Sequence, residues 1–287
     1  MIENGLCKIG KEEYPAVGLG TYRLMGEICR EALLAAARCG YRIIDTATFY
    51  DNFEAIAEAF KELSREQFHF ISKVWHDKQA PEDLRRDLEE TLRRLQTDYL
   101  DTYLLHWPNH KVPIEATLQA MEELRNEGKI RYIGMSNITA GHLKRALEVG
   151  VPIHWAQVEM HPFFCDFELL DLCLKEGIIL QSWRPLNFGK AVSDALLAQF
   201  GEKAGKSASQ VALRWILQHG ALPLPGSQNE EHIRENFNIF DFSLSEEQMQ
   251  KIDERAAKGE RFRLDGAGHG FTDEFSFTYE ECWPKRL

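Results

Sequence analysis

The fold class that this sequence predicts is α/β, a closed (β/α)8 barrel of eight parallel strands wrapped by helices, and three observations predict it. Short apolar runs alternate with longer runs of helical period about eight times in succession. Each return connection is helical, which makes successive strands parallel. Polar residues recur at the C-terminal ends of the apolar runs, where a barrel of this kind gathers its chemistry at one mouth. The alternative is an open doubly wound sheet. It is disfavoured because the first βα turn, GLGTYRLMGE (18–27), lacks the second and third glycines of a GxGxxG phosphate turn.

The opening LCKIGKEEYPAVGLG (6–20) carries a Gly-Lys turn suited to a β-hairpin. The first unit pairs AVGLGTY (16–22) with EICREALLAAARCG (27–40), and the second pairs YRIIDTA (41–47) with NFEAIAEAFKEL (52–63). FHFISKVW (68–75) precedes a helix that opens on Pro81, the first-turn position where proline is tolerated. YLDTYLLHW (99–107), IRYIGMSN (130–137) and HWAQVEMH (154–161) each run into a further amphipathic stretch. IILQSWRPL (178–186) leads to two helical segments ending in VALRWILQHG (211–220), and ALPLPGS (221–227) to NEEHIRENFNIF (229–240). An extra helix in 242–259 and an aromatic tail over 270–287 fall outside the repeat, and the tail is expected to pack over a face of the barrel. All of 1–287 is read as one barrel domain.

With 44% apolar and 28% charged residues, the chain has enough apolar material for a large core. Its net charge of −11 leaves no Lys/Arg surplus to displace counterions from a phosphate backbone, so nucleic acid is excluded as a partner. The first residues lack the basic and apolar segments of a secretory signal, and no apolar stretch approaches ~20 residues, so a cytoplasmic protein without a membrane partner is expected. Six cysteines without CxxC spacing (Cys7, Cys29, Cys39, Cys165, Cys173, Cys282) read as reduced core fillers, with no metal site.

Asp45 and Tyr50 follow the second strand, Lys73 ends the third and His106 the fourth. Singly each has a bland explanation, such as a half-buried aromatic or a hydrogen-bonded core histidine. Lys73 is the informative one, because a lysine inside an apolar strand is seldom buried without a carboxylate partner, and Asp45 lies on the adjacent strand. A cation held beside the Tyr50 phenol is expected to lower its pKa from about 10 toward neutrality, which would suit it to general acid-base catalysis. His106 would hold the substrate oxygen.

The segments GYRIIDTATFYDN, ISKVW, LLHWP, GKIRYIGMSN, QVEMHP and QSWRPL, in that order over nearly the whole chain, resemble the motif series of the aldo-keto reductases. The resemblance implies a barrel closed at its bottom by a hairpin, an extended nicotinamide dinucleotide bound without a Rossmann turn, and hydride transfer to a carbonyl. It further implies that Asp45, Tyr50, Lys73 and His106 form the catalytic tetrad, with Tyr50 as proton donor. By matching position Ser136, Asn137 and Gln157 would bind the nicotinamide carboxamide and Trp183 would stack on its ring. Gly20, Thr21, Arg184, Pro185, Leu186, Ser227, His232, Glu235 and Asn236 complete the implied cofactor contacts. Tyr22, Phe49, Trp75, Trp107 and the tail residue Trp283 are expected to line a pocket for a small carbonyl compound.

Two departures from the family pattern matter. Gly226 and His232 stand where the family commonly places a lysine and an arginine around the 2′-phosphate of NADP(H), which removes charge-assisted hydrogen bonds of roughly 1.5–3 kcal/mol each. NADP(H) binding with NAD(H) use is therefore expected, with Arg184 or Arg234 as candidate replacement cations. Phe53 stands where glutamate is common. A monomer is expected. Two other readings stay open at this point: a nicotinamide-binding regulatory subunit with little turnover, and a barrel isomerase or lyase, for which PLPGSQN (223–229) resembles a phosphate loop only faintly.

Overall fold

The computed structural model describes residues 1–109 and 111–261. Three short strands, β1 (Ile2–Glu3), β2 (Leu6–Ile9) and β3 (Glu12–Pro15), form an antiparallel meander. The expected hairpin is thus extended by one strand, because Gly5 at φ +77° lets the chain turn back before Leu6. Parallel strands follow: β4 (Gly18–Gly20), β5 (Ile43–Asp45), β6 (His69–Val74), β7 (Leu100–Leu105), β8 (Ile130–Ser136), β9 (Trp155–Glu159), β10 (Ile179–Trp183) and β11 (Leu222–Pro223). They pair in chain order from β4 to β11.

Helices connect them: α1 (Gly26–Cys39), α2 (Phe53–Ala59), α3 (Pro81–Leu95), α4 (Ile114–Asn126), α5 (Ala140–Glu148), α6 (Phe167–Lys175), α7 (Ala195–Gly201) and α8 (Ala208–Gln218). α9 (Glu230–Phe237) and α10 (Glu246–Ala256) follow the last strand. Their starts are written in the sequence. Pro81 opens α3, and Ser207 with Gln210 and Ser245 with Gln248 form capping boxes at α8 and α10. Each helix presents one apolar stripe, such as Leu84, Leu88, Leu92 and Leu95 of α3, to strands whose two faces are both buried.

The cylinder closes between its first and last strands. Gly20 N–H donates to the Pro225 carbonyl at 3.0 Å. A Cβ at Gly18 would lie 2.6 Å from Leu224 Cδ2, and one at Gly226 would lie 2.7 Å from the Gly20 carbonyl oxygen. Bare backbone on both sides makes this approach possible.

Cys7, Cys29, Cys165 and Cys173 are buried free thiols and Cys39 is partly exposed, in line with their reading as fillers. Among the described residues no helix is long and apolar enough to cross a membrane. Cys282, Trp283 and the aromatic tail lie outside the described residues.

Candidate active site

The register of the barrel brings the polar residues of neighbouring strands to one height. Asp45 pairs with Ile71 in the ladder, so Lys73, two residues on, points to the same side one step nearer the mouth. Both side chains are buried. Lys73 Nζ donates to Asp45 Oδ2 at 2.8 Å, to the Thr46 carbonyl at 2.7 Å and to the Tyr50 hydroxyl at 3.2 Å. An ammonium has three protons, and these three acceptors use them all.

With its oxygen accepting from Lys73, the Tyr50 phenol keeps its own proton for another acceptor. The His106 ring stands edge-on to Tyr50, with centroids 5.8 Å apart. His106 Nδ1 is buried without a hydrogen-bond partner. Burial, followed by the charges of Lys73 and His76, holds the imidazole well below its usual range, so it is neutral.

The phenol behaves differently from the sequence expectation. Burial first, then the charges of Asp45 and Tyr22, pushes the Tyr50 hydroxyl well above its ordinary value. The Lys73 cation does not overcome this, because the Asp45 carboxylate beside it makes the pair neutral as a unit. Burial also raises the Asp45 carboxyl and lowers the Lys73 ammonium, each opposed by the other's charge. Tyr50 is therefore a phenol throughout the neutral range, the form that gives a proton.

Gln157 Nε2, expected to face a carboxamide, donates to Asp45 Oδ1 at 2.7 Å and to Gln181 Oε1 at 2.9 Å across the barrel interior. It braces the tetrad from the far side. Thr21 is likewise drawn inward: its hydroxyl donates to the Asp45 carbonyl, and Asn52 Nδ2 donates to the Thr21 hydroxyl and carbonyl. Asn52 also accepts from the Thr46 hydroxyl and donates to the Leu24 carbonyl, so one buried amide ties the loops after β4 and β5 together. Sequence reasoning passed over Asn52. The one signal available was an asparagine at the end of FYDN, directly before a helix.

Asn137, at φ +57°, donates from Nδ2 to the His106 carbonyl and the Ser136 hydroxyl, while its buried Oδ1 has no partner. An acceptor stranded beside the tetrad fits a carboxamide N–H. Trp183 ends β10, half-buried, with its Nε1 buried and unpartnered. The residues present thus fit a nicotinamide. Gly20 and buried Pro185 lie at strand ends of the same mouth, with Leu186 half-buried beside Pro185.

Arg184 has Glu159 3.9 Å away, stacks on Phe188 with Cζ 3.3 Å from the ring centroid, and is also influenced by Tyr22 and Arg23. Burial lowers its guanidinium to about 10. These neighbours belong to the loops around the tetrad. Ser227, Asn229 and His232 gather at the α9 start, where Asn229 caps the Glu231 and His232 amides; His232 is exposed, Glu235 half-buried and Asn236 buried.

Of the expected pocket residues, Tyr22 leans on Tyr50 at 5.1 Å, Trp75 stands edge-on to His106 at 4.9 Å, and Phe49 stacks on Trp75 at 4.2 Å. These rings form an unbroken aromatic line past the tetrad. Trp107 is 5% exposed, its carbonyl accepting from Gln79. Phe53 is fully buried on α2 under the Arg94 guanidinium, away from the tetrad.

At the opposite end of the barrel Glu12, His69 and Asp101 bring ligand-type atoms within 4.8 Å of one another. Arg65 and Arg131 already occupy the two Asp101 oxygens, at 2.8 and 3.0 Å, so the charge there is balanced without an ion.

Residues 16–257 match the model of the aldo/keto reductase family. The chain is 44% identical over 245 residues to the glyoxal reductase of Bacillus subtilis, covering 84% of this chain and 88% of that protein. Its fold superposes on the aldose reductase from Schistosoma japonicum with a TM-score of 0.84 at 31% identity, covering 94% and 97% of the two chains. The Bombyx mori aldo-keto reductase in complex with NADP gives a TM-score of 0.81 at 29% identity, covering 87% and 92%. These relatives are reductases, and none supports the reading of a regulatory subunit.

Proposed function

The chain belongs to the aldo/keto reductase family and reduces aldehydes or ketones to alcohols with a nicotinamide cofactor; from that premise we propose that Tyr50 protonates the substrate oxygen, with Lys73, Asp45 and His106 completing the catalytic group. The observation that carries this is the geometry of Lys73, whose three donors go to Asp45, Thr46 and Tyr50. When bound, the reduced nicotinamide supplies a hydride to the carbonyl carbon. Tyr50 gives its proton to the carbonyl oxygen as negative charge grows there, and the Lys73 N–H remains on the phenolate left behind. His106, neutral and opposite the phenol, orients that oxygen. Asn137 Oδ1 and Ser136 would hold the carboxamide and Trp183 the ring face, while Gln157 keeps Asp45 in place.

We infer for Arg184 a part other than the 2′-phosphate contact expected of it. Its neighbours Glu159, Tyr22 and Arg23 belong to the loops around the tetrad, which favours the cofactor's diphosphate over the 2′-phosphate as its partner. At the α9 start Ser227, His232, Glu235 and Asn236 would face the adenosine end, with Arg234 of the same helix as the candidate cation there. The enzyme uses both NADPH and NADH, acting as a cytoplasmic monomer of one domain. Steady-state kcat/KM with each cofactor tests this, and a thousandfold preference for NADPH would overturn it. The aromatic line of Tyr22, Trp75 and Phe49, together with the relative that reduces glyoxal, favours small aldehydes and 1,2-dicarbonyls as substrates. Turnover of glyoxal, methylglyoxal and glyceraldehyde by wild type, set against Tyr50→Phe, is the direct assay of the reaction.

A further inference from the structure

Tyr50 is the last residue of a single 3-10 turn, Thr48–Tyr50, closed by Tyr50 N–H on the Ala47 carbonyl at 2.9 Å and left through Asp51 at φ +54°. So short a turn has no internal ladder to fix its orientation. Its position depends on what the flanking side chains grip. Phe49 stacks on Trp75 on one side. The Arg94 to Asp51 ion pair on the outside is exposed, and such pairs constrain little.

A further anchor, on the side of α3, is polar. Thr48 Oγ1 lies 3.0 Å from Asp87 Oδ2 and 3.0 Å from the Lys73 carbonyl oxygen. A hydroxyl has one proton, so Thr48 shares it between the carboxylate of α3 and the backbone of β6. Asp87 Oδ2 also accepts from the buried Tyr103 hydroxyl of β7 at 2.8 Å. A single carboxylate oxygen, placed among the outer helices, thus joins α3, β7, the backbone of the residue that bears the catalytic ammonium, and the turn that bears the phenol.

We infer that Asp87 is a positioning residue for proton transfer: through Thr48 it sets the distance between the Tyr50 hydroxyl and Lys73 Nζ without touching substrate. The inference rests on Tyr50 being the proton donor. A misplacement of about 1 Å at a reacting group is enough to lower a rate roughly a hundredfold. The group also explains why a threonine precedes Phe49 and Tyr50: a shorter or apolar side chain there would leave the turn without its tie to α3.

The test compares Thr48→Val, Thr48→Ser, Asp87→Asn and Asp87→Ala with wild type and Tyr50→Phe, using methylglyoxal and NADPH. Thr48→Val and Asp87→Ala are expected to lower kcat by about tenfold to a hundredfold. NADPH dissociation constants should stay unchanged, and the solvent deuterium isotope effect on kcat should rise as proton transfer becomes slower. Thr48→Ser restores the hydroxyl and should restore the rate. Asp87→Asn, which keeps an acceptor oxygen, should fall between and covers the case in which the alanine variant does not fold. If Thr48→Val and Asp87→Asn melt at lower temperature yet keep the wild-type kcat and isotope effect while Tyr50→Phe is inert, Asp87 is merely structural and the inference fails alone. A Tyr50→Phe variant with full activity would instead remove the reading beneath it.

Discussion

The two ends of the barrel each bury a carboxylate against cations, and they handle it in opposite ways. At the bottom Asp101 accepts from Arg65, from Arg131 and from the Phe70 amide, so both its oxygens are used by the protein. The stranded Nδ1 of His69 there is enclosed by the rings of Tyr14, Tyr132 and Trp155, with the β2–β3 hairpin adding Tyr14 as its cover. At the mouth the Asp45 and Lys73 pair is shared outward to Tyr50, and the unpartnered atoms, His106 Nδ1 and Asn137 Oδ1, belong to residues at strand ends beside it. The same chemistry, an ion pair in a low-dielectric interior, is closed on cations, a backbone amide and packed rings at one end and is shared with a phenol at the other. The distinguishing feature of the mouth pair is therefore the titratable hydroxyl that Lys73 also holds.

Substitutions at the two ends should separate these roles. Tyr50→Phe removes the free proton and is expected to lower kcat by roughly 10²- to 10⁴-fold, with cofactor affinity and melting temperature preserved. Fluorescence titration with NADPH beside steady-state kinetics reads both. Asp101→Ala should do the reverse, destabilising the fold by about 3–5 kcal/mol by leaving two guanidinium groups without their shared carboxylate. Urea unfolding measures that loss, and the kcat of the folded variant should match wild type. A large loss of turnover with intact stability at Asp101 would break the contrast.

The pH responses sharpen it further. Burial pushes His69 down to about 4, so in the folded chain it stays neutral while the unfolded chain takes up a proton near 6.5. Stability is thus full above about pH 6.5 and falls by roughly 3 kcal/mol as the pH drops toward 4. His69→Gln should flatten that part of the stability curve. At the mouth the raised phenol predicts carbonyl reduction that persists to alkaline pH, whereas oxidation of the alcohol, which needs phenolate, climbs with pH. Rate profiles in the two directions that fall together above neutrality would contradict this. The smallest effect is expected at the seam, where Gly226→Ala should cost about 1–3 kcal/mol by overpacking against Gly20.

How far these features could be read in advance differs by their origin. The βα alternation was legible because the strand period and helix period are local properties of consecutive residues. Lys73 was legible because an ammonium within FISKVW conflicts with its surroundings, and a conflict of that kind asks for a partner. The rise of the Tyr50 pKa was not, since it depends on how deeply the phenol sits and on Asp45 cancelling the lysine. Asn52, Thr48 and Asp87 were missed because their meaning arises from contacts between loops and an outer helix, and nothing in their own neighbourhoods is anomalous. Arg184 drew notice for its charge, while its place beside Glu159, Tyr22 and Arg23 could be read only from the fold.

Gly226 was first of interest as a missing cation, yet it is also half of the contact by which the last strand meets the first. A lysine there would have to push the Gly20 backbone aside before its charge reached any ligand. The barrel seam and the expected 2′-phosphate site thus share one residue. In this backbone a side chain at 226 first requires the seam to shift, whereas changes on α9, at positions such as His232 and Glu235, disturb no strand.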